Sequence, residues 1–245
     1  DSPQPCARWK HTATKIDDSQ IVVFGGFTSS KEMPRLNDVW ILDTSKDAWV
    51  TCEEITDSDP SLQSLWATKE NAKAVDGPCP RGSHSSALVE DAIFIFGGYG
   101  GNGYSRKDFN DIHVLCTKTW NWYELDTKGD SPQPRSGHKS VYFEGKFYVM
   151  GGWNAVETFD DIHILDIESM TWTRADSACG PESWGEYRWN FTAVAAYAVP
   201  YWKVFVFGGN SGNLDPSRPQ GYYRNDMQVL ETSSKQGAEE EVKLE

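Results

Sequence analysis

The sequence predicts an all-β fold built from four copies of one repeated sheet, and three observations carry this prediction. Four apolar runs rich in Val, Ile and Phe each end in a Gly-Gly pair, as strands bounded by turn residues do. An arginine-led motif precedes each run, and an Asn-Asp or Asp-Asp pair follows it. Helical periodicity is almost absent, and the one stretch with a short predicted helix is 61–74.

Composition and charge narrow the class of protein. The 245 residues suffice for one large domain or two small ones, and 13% aromatic residues exclude a disordered chain. A net charge of −13 disfavours nucleic acid and anionic membranes as partners. Five cysteines without CxxC spacing are typical of reduced thiols, and we find no N-terminal signal pattern. We therefore expect a cytoplasmic location, with cytoskeletal or nuclear sites also open.

Each repeat is predicted to supply four short strands, here called a, b, c and d. Strand a follows an arginine and carries a histidine in three repeats; these residues are Arg8, Arg81, Arg135 and Arg188, with His11, His84 and His138. Strand b ends at Gly25-Gly26, Gly97-Gly98, Gly151-Gly152 and Gly208-Gly209. Strand c begins at Asp38, Asp111, Asp161 and Asp226, and strand d carries Trp49, Trp122 and Trp172.

The repeated residues have physical roles that can be stated from their chemistry. The tryptophans offer large apolar area, so we expect them to be largely buried between neighbouring sheets. The Gly-Gly pairs allow positive φ and close backbone packing. The arginine of each repeat is expected to pair with one of the strand c aspartates.

The order of arginine motif, Gly-Gly, Asn-Asp and Trp resembles the kelch repeat over residues 3–230. The resemblance implies a β-propeller in which each repeat forms one four-stranded blade. It predicts a propeller domain over 1–232, with units at about 6–52, 79–125, 133–175 and 186–231. Residues 53–78 form an insertion, and 233–245 are expected to be a flexible acidic tail.

The chain departs from the family pattern at both ends. The residues Asp1-Ser2-Pro3-Gln4-Pro5 recur at 130–134, where they join one repeat to the next. The fourth repeat has no tryptophan, so its blade is expected to lack strand d. Two alternatives stay open: a ring of four blades, or a segment of a larger propeller of roughly five to seven blades. The sequence favours the second, with further blades from a parent chain or a second subunit.

The residues give no catalytic, cofactor-binding or metal-binding pattern. All five histidines lie at repeat positions, where Trp, Gln or Phe stand in other repeats, so we interpret them as structural. Clustered Cys and His at zinc spacing, a phosphate loop and a nucleophile elbow are all missing from the sequence. The alternative is a propeller enzyme or metal-dependent specifier, of the galactose-oxidase-like or nitrile-specifier-like type.

The predicted binding surface is the blade end from which the b–c and d–a connections leave, here called the loop face. Variable loops on a rigid scaffold commonly carry binding, and these loops combine Arg and Lys with aromatic residues. The predicted binding residues are Arg35, Tyr104, Arg106, Lys107, Trp153, Arg218, Tyr223 and Arg224. The resemblance and this composition predict an adaptor or scaffold that binds an acidic or phosphorylated protein or peptide, and no enzyme.

Overall fold

The computed structural model describes residues 3–32, 34–52, 64–102, 105–175, 187–211, 223–232 and 242–244, with the backbone alone for 231–232 and 242–244. The chain divides into two compact units, Asp1–Asp126 and Thr127–Glu245. Each unit contains two sheets that correspond to two successive repeats, and their strands pair antiparallel except at one short strand of blade 3. The predicted all-β fold of four repeated blades is therefore confirmed.

The first unit holds blades 1 and 2. Blade 1 has the strand order β1-β2-β3-β4, formed by β1 (Thr12–Lys15), β2 (Gln20–Phe27), β3 (Arg35–Asp43) and β4 (Ala48–Val50). Blade 2 comprises β5 (Ala72–Val75), β6 (Arg81–Gly82), β7 (Ser85–Val89), β8 (Ala92–Gly100), β9 (Lys107–Cys116) and β10 (Trp122–Leu125). Its order is β5-β10-β9-β8, and both β6 and β7 pair with β8.

The second unit holds blades 3 and 4. Blade 3 comprises β11 (Lys128–Gly129), β12 (Lys139–Phe143), β13 (Lys146–Met150), β14 (Ile162–Asp166) and β15 (Thr171–Arg174). Its order is β11-β15-β14-β13-β12, and β11 pairs with β15 in parallel. Blade 4 has the order β16-β17-β18-β19, formed by β16 (Thr192–Ala198), β17 (Tyr201–Phe207), β18 (Met227–Thr232) and β19 (Val242–Leu244).

Blade 4 corrects one expectation from the sequence. Its strand d was expected to be missing, but β19 pairs antiparallel with β18 at Leu230↔Leu244 and two further positions. The expectation was wrong because strand d had been identified by its tryptophan alone. Strand pairing needs only an extended backbone, so a short segment inside the predicted acidic tail completes the blade.

The insertion also differs from its prediction. In place of a helix over 61–74, the described part forms a 3₁₀ helix at Leu65–Thr68 and then strand β5. The Ser64 hydroxyl accepts a hydrogen bond from the Trp66 amide at 3.2 Å and caps this helix. Trp66 is fully buried edge-on against Phe94, with ring centroids 5.1 Å apart. The end of the insertion is therefore anchored on blade 2, where β5 adds an outer strand.

Within the first unit, one face of blade 1 packs against one face of blade 2. We call the packing face of blade 1 its forward face and that of blade 2 its rear face. Phe24 on the forward face contacts the ring of Trp122 at 5.2 Å between centroids. At the start of the sheets, the Thr12 hydroxyl lies 2.9 Å from His84 Nε2. Apolar side chains fill the rest of this core; they include Val22, Ile41, Ile93, Ile95 and Leu115.

The second unit repeats this forward-to-rear arrangement. Blade 3 presents Val141, Tyr148 and Met150, and blade 4 presents Val204, Val206 and Leu230. Trp172 is 2% exposed, which confirms its predicted burial. Trp49 and Trp122 are only half-buried, which is less than predicted; Trp49 stands in the outer strand β4, whereas Trp122 stands in β10, between β5 and β9.

In blades 1 and 3, the first glycine of the pair lets the next blade approach. Gly25 has a φ of +64°, and a Cβ there would lie 2.8 Å from the Arg81 carbonyl oxygen. Gly151 has a φ of +56°, and its Cβ would lie 2.6 Å from the Arg188 carbonyl oxygen. Both positions therefore require glycine for backbone conformation and for space.

Candidate functional site

Each blade contains one buried arginine that ties together the beginning of strand a, the end of strand b and the beginning of strand c. In blade 2, Arg81 donates two hydrogen bonds to Asp111, at 2.6 and 2.9 Å. Its Nη1 also donates to the Gly97 carbonyl at 3.0 Å, and its Nε donates to the Cys79 carbonyl at 3.0 Å. The side chain is fully buried, and a planar guanidinium fits this fork of acceptors.

The same clamp recurs in all four blades, which confirms the predicted pairing of arginines with strand c aspartates. The pairs are Arg8–Asp38, Arg81–Asp111, Arg135–Asp161 and Arg188–Asp226. In each blade the arginine also donates to the carbonyl of the first glycine. Because these contacts join both ends of the b–c loop, each clamp holds the base of that loop in place.

In blades 2 and 3, the residue two positions before the clamp aspartate covers the guanidinium. Phe109 lies 4.1 Å from the Arg81 guanidinium carbon, measured to the ring centroid, and Phe159 lies 4.0 Å from that of Arg135. Leu36 and Arg224 occupy the same position in blades 1 and 4. The amides of Phe159 and Arg224 both donate to the second glycine carbonyl of their blade, which confirms that the two positions are equivalent.

In blades 1 and 3, the residue two positions after the clamp aspartate offers it another N–H donor. Trp40 Nε1 donates to Asp38 at 2.8 Å, and His163 Nε2 lies 3.1 Å from Asp161. Burial alone would raise the pKa of Asp161, but the hydrogen bonds from His163 and Arg135 outweigh it and hold that pKa well below its usual range. Asp38 follows the same pattern, with Arg8 and Trp40 lowering its pKa against the effect of burial.

Blade 2 contains the one group among the described residues whose geometry would suit a metal ion. The ligand atoms of Asp111, His113 and Glu124 lie within 4.8 Å of one another. However, the Arg81 guanidinium already neutralises Asp111, and a cation beside it would meet repulsion. Burial lowers the pKa of His113, and its Nδ1 lies 3.7 Å from Asp111. Its position matches Trp40 and His163, so we interpret it as part of the clamp.

In the first unit, the predicted binding residues differ in exposure. Arg106 and Lys107 are exposed where the b–c connection of blade 2 leads into β9. The Lys107 ammonium lies 5.3 Å from the centroid of the Phe109 ring. Arg35 is half-buried and pairs with Phe27 at the start of β3. Tyr104 lies outside the described residues.

In the second unit, the predicted residues separate into two kinds. Trp153 is 38% exposed and pairs with the ring of Trp189 at 5.0 Å between centroids, while Tyr223 is 81% exposed. Arg224 has a side chain only 11% exposed, and its Nη1 lies 3.6 Å from Asp226. It thus belongs to the clamp as well as to the loop. Arg218 lies outside the described residues.

Two further aromatic residues are exposed on the loop face; the sequence places Tyr99 among the b–c loop aromatics, whereas Trp9 was not predicted. Trp9 is 52% exposed and lies next to Phe27, with ring centroids 6.0 Å apart. Tyr99 is 37% exposed. Trp9 follows its clamp arginine directly, as Trp189 does in blade 4, and Phe27, Tyr99 and Trp153 each follow a Gly-Gly pair. The fixed offset from the clamp arginine is the signal that would have identified Trp9.

Comparison with known families agrees with this geometry. Residues 63–238 match the KLHDC2/KLHL20/DRC7 Kelch-repeats domain, and residues 9–54 match the kelch motif. The chain belongs to the kelch-repeat family. This membership is consistent with a propeller module for protein interaction, and members of this family are generally non-enzymatic interaction modules.

Curated relatives show the same repeats in proteins of very different size. The dynein alpha chain of the flagellar outer arm from Chlamydomonas reinhardtii is 28% identical over 242 residues, which cover 94% of this chain and 5% of that protein. Mouse Kelch domain-containing protein 1 is 28% identical over 215 residues, covering 80% of this chain and 48% of the relative. For human Kelch domain-containing protein 3, the values are 25% over 230 residues, 92% and 54%. The chain thus spans about half or less of each relative.

Among the described residues, none forms a helix of the length and apolar character needed to cross a bilayer.

Proposed function

We propose that this chain is a protein-interaction module, an adaptor or scaffold that binds a protein or peptide through the loop face of its blades. The observation that carries the proposal is the repeated clamp, which fixes the base of every b–c loop with a buried arginine. A rigid base lowers the entropy that a loop loses when it binds a partner. The clamps therefore make each loop face a suitable platform for recognition.

The chemistry of the loops supports a partner with acidic or phosphorylated side chains. Arg106 and Lys107 are exposed on a chain whose net charge is −13. Exposed Trp9, Trp153 and Tyr223 add aromatic surface near other loop bases. Arginine and aromatic residues are enriched at positions that dominate binding energy, and arginine forms bidentate bonds with carboxylates and phosphates.

The same contacts support a role outside catalysis. The clamp aspartates and His163 are occupied by hydrogen bonds within their blades, so they serve the fold. Kelch-repeat relatives and the flagellar dynein relative support a cytoplasmic, cytoskeleton-associated setting for the module. We place the chain among adaptors on these grounds.

An array of acidic peptides with and without phosphoserine tests the proposal. We expect the full chain to bind a subset, and Arg106→Ala/Lys107→Ala to weaken that binding roughly tenfold or more, since each charged hydrogen bond is worth about 1.5–3 kcal/mol. Lys118→Ala is the matched control, because Lys118 is a half-exposed lysine of the same blade in its c–d connection. Unchanged peptide binding by the double variant would show that the loop face of blade 2 is not the binding surface.

A further inference from the structure

The hairpin between strands a and b of blade 4 is longer than its counterparts and ends in an apolar turn. Strand a has five residues in blades 2 and 3 but seven in blade 4. Two further pairs, the last of them Ala198↔Tyr201, extend the hairpin of blade 4 beyond the length of its counterpart in blade 3. The turn residues of the four blades are Asp17-Asp18-Ser19, Glu90-Asp91, Glu144-Gly145 and Val199-Pro200. Blade 4 thus projects an apolar tip from the blade end opposite the loop face, where the turns of the other three blades each contain an acidic residue.

One side of this extension forms a wall that faces blade 3. Ala195 and Trp202 pack against the core between blades 3 and 4, so Tyr197, the register partner of Trp202, lies on the same rear face. Trp202 stacks on Phe143 of blade 3, with ring centroids 5.3 Å apart and an interplanar angle of 17°. Tyr197 packs edge-on against Trp202 at 5.7 Å but is 58% exposed, and Val199 in the turn is 84% exposed. The stack on Phe143 therefore holds in place a wall whose outer part is open to solvent.

The adjoining turns of blade 3 form an open floor beside this wall. Glu144 directly follows Phe143 and is exposed. A Cβ built on Gly145 would meet no atom within 4 Å, so the space above this turn is empty. The Ile167 amide donates to the Gly145 carbonyl at 3.0 Å, which brings the c–d turn and its exposed Glu168 to the same place. Wall and floor together form a step on the second unit.

Acidic residues predominate on this floor. The residues 144–146 and 166–169 include the carboxylates of Glu144, Asp166 and Glu168, and one basic residue, Lys146. Hydrogen bonds from Ser169 and the charge of Lys146 lower the pKa of Asp166, so this lysine already interacts with one of the carboxylates. The floor therefore carries a net negative charge.

We propose that the step formed by Glu144, Gly145, Glu168, Tyr197 and Val199 binds a protein segment that presents an apolar side chain flanked by arginine or lysine. Exposed apolar residues that project together are typical of an interaction site, and Tyr197 and Val199 offer apolar surface to the central side chain. The Tyr197 ring also suits a guanidinium, which stacks on aromatic faces. The two glutamates offer carboxylates to the flanking cations.

Charge distinguishes this partner from the other occupants of an apolar surface. An anionic bilayer would meet the two glutamates, and a second copy of this chain would bring a net charge of −13 to an acidic floor. The step also lies at the end of blades 3 and 4 opposite their loop face. It is therefore a second surface, which selects a partner of opposite charge to the one proposed for Arg106 and Lys107.

Binding of short labelled peptides to the full chain, measured by fluorescence anisotropy, tests the apolar part of the step. The peptides present Leu, Phe or Trp flanked by arginines, and matched peptides carry glutamate in place of arginine. We expect only the arginine set to bind, and Tyr197→Ser/Val199→Ser to weaken its binding roughly tenfold or more, as loss of an interface anchor does. Val156→Ser is the matched control, because Val156 is 91% exposed in the b–c loop of blade 3.

Two outcomes of this measurement would overturn the proposal. One is the absence of binding by every arginine peptide up to about 1 mM. The other is equal binding by the Tyr197→Ser/Val199→Ser variant and the unsubstituted chain. Both substitutions are at exposed positions and leave Trp202 on Phe143, so thermal unfolding should show an intact fold in the variant.

A second variant tests the acidic part of the step. Glu144→Gln/Glu168→Gln keeps the size of both side chains and should weaken the arginine peptides several-fold at low salt and less at high salt, since salt screens exposed charges. Glu157→Gln is the control, because Glu157 is an exposed glutamate in the b–c loop of blade 3. If the Glu144/Glu168 variant binds the peptides as the unsubstituted chain does, the carboxylates do not select the partner and the proposal is wrong.

Two further measurements separate the other occupants. Phosphatidylcholine vesicles that contain phosphatidylserine should not sediment the chain, and sedimentation velocity over a wide range of concentration should show no association that Tyr197→Ser/Val199→Ser removes. Vesicle binding that the same variant abolishes would assign the step to lipid. Self-association that it abolishes would assign the step to a second copy, and either result would overturn the basic protein segment as the occupant.

Discussion

The clamps of blades 1 and 3 contain the same ion pair in different surroundings. In blade 3, the Arg135 side chain is fully buried and that of Asp161 is 10% exposed. In blade 1, the corresponding values are 5% for Arg8 and 40% for Asp38. Attraction between charges strengthens as water is excluded, and so does the cost of leaving one charge unpaired. The repeat thus determines which residues pair, whereas neighbouring side chains determine how much each pair contributes to the stability of the fold.

The largest expected difference follows from removing the arginine. Arg135→Ala would leave Asp161 ionised and enclosed, so we expect a loss of about 3–5 kcal/mol in the free energy of unfolding. Arg8→Ala leaves Asp38 in contact with water and should cost roughly 1–3 kcal/mol. Urea denaturation of the full chain, followed by tryptophan fluorescence, measures both. Equal losses would show that exposure of the aspartate does not control the strength of the clamp.

The clamps of blades 1 and 3 should also differ in how their contribution to stability depends on pH, although this difference should be smaller than the effect of removing the arginine. The folded pKa of Asp161 lies below its unfolded value of about 3.9, so the folded state binds fewer protons in acid. Its contribution to stability is therefore complete above about pH 5 and is lost as pH falls toward the folded pKa. Thermal unfolding between pH 5 and 2 should show a flatter profile for Asp161→Asn than for the unsubstituted chain.

Asp38→Asn is the control for this measurement. The pKa of Asp38 is also lowered, so its variant should flatten the profile in the same direction. The change should be smaller than for Asp161→Asn, because solvent screens the more exposed pair. If Asp161→Asn leaves the pH profile of stability unchanged, the lowered pKa of Asp161 is not a source of that pH dependence.

The smallest expected effect concerns the ring that covers the guanidinium. Phe159→Leu gives blade 3 the residue that blade 1 has at Leu36, and it removes a cation–π contact worth about 0.5–2 kcal/mol. A double-mutant cycle with Arg135→Met isolates the interaction, because methionine removes the cation and the cycle subtracts the packing that Phe159 loses by itself. A coupling free energy of zero would mean that the ring contributes by packing alone.

The repeat spacing predicted most of the fold because the features that define a blade are local. Gly-Gly, the arginine and the Asn-Asp pair each impose a turn, a contact or a strand boundary within a few tens of residues. Strand β19 was not predicted because its three residues include none of these repeat residues and pair only through the backbone. The sequence did not predict that Trp66 anchors the insertion, because the burial of a single tryptophan depends on the surface against which it packs.

The exposure of the candidate binding residues was predicted less completely than the fold, because it depends on contacts outside the repeat. Composition grouped Arg224 with the exposed basic residues, but Arg224 stands two residues before Asp226, and its largely buried side chain lies 3.6 Å from that carboxylate. Counting offsets from the aspartate would have separated it from Arg106. Side-chain exposure in loops depends on tertiary contacts that residue type does not encode, so Arg35 was found half-buried while Lys107 was exposed.

The short parallel strand β11 has a consequence for how such blades are inherited. Lys128 and Gly129 pair with β15, the Thr127 hydroxyl accepts from Trp172 Nε1 at 3.0 Å, and the Asp130 carbonyl lies 2.8 Å from His163 Nδ1. A gene segment that began at the arginine motif would lack residues 127–130 and therefore all of these contacts. The portion that can be duplicated or transplanted intact therefore begins near Thr127, several residues ahead of the motif by which the repeat is recognised.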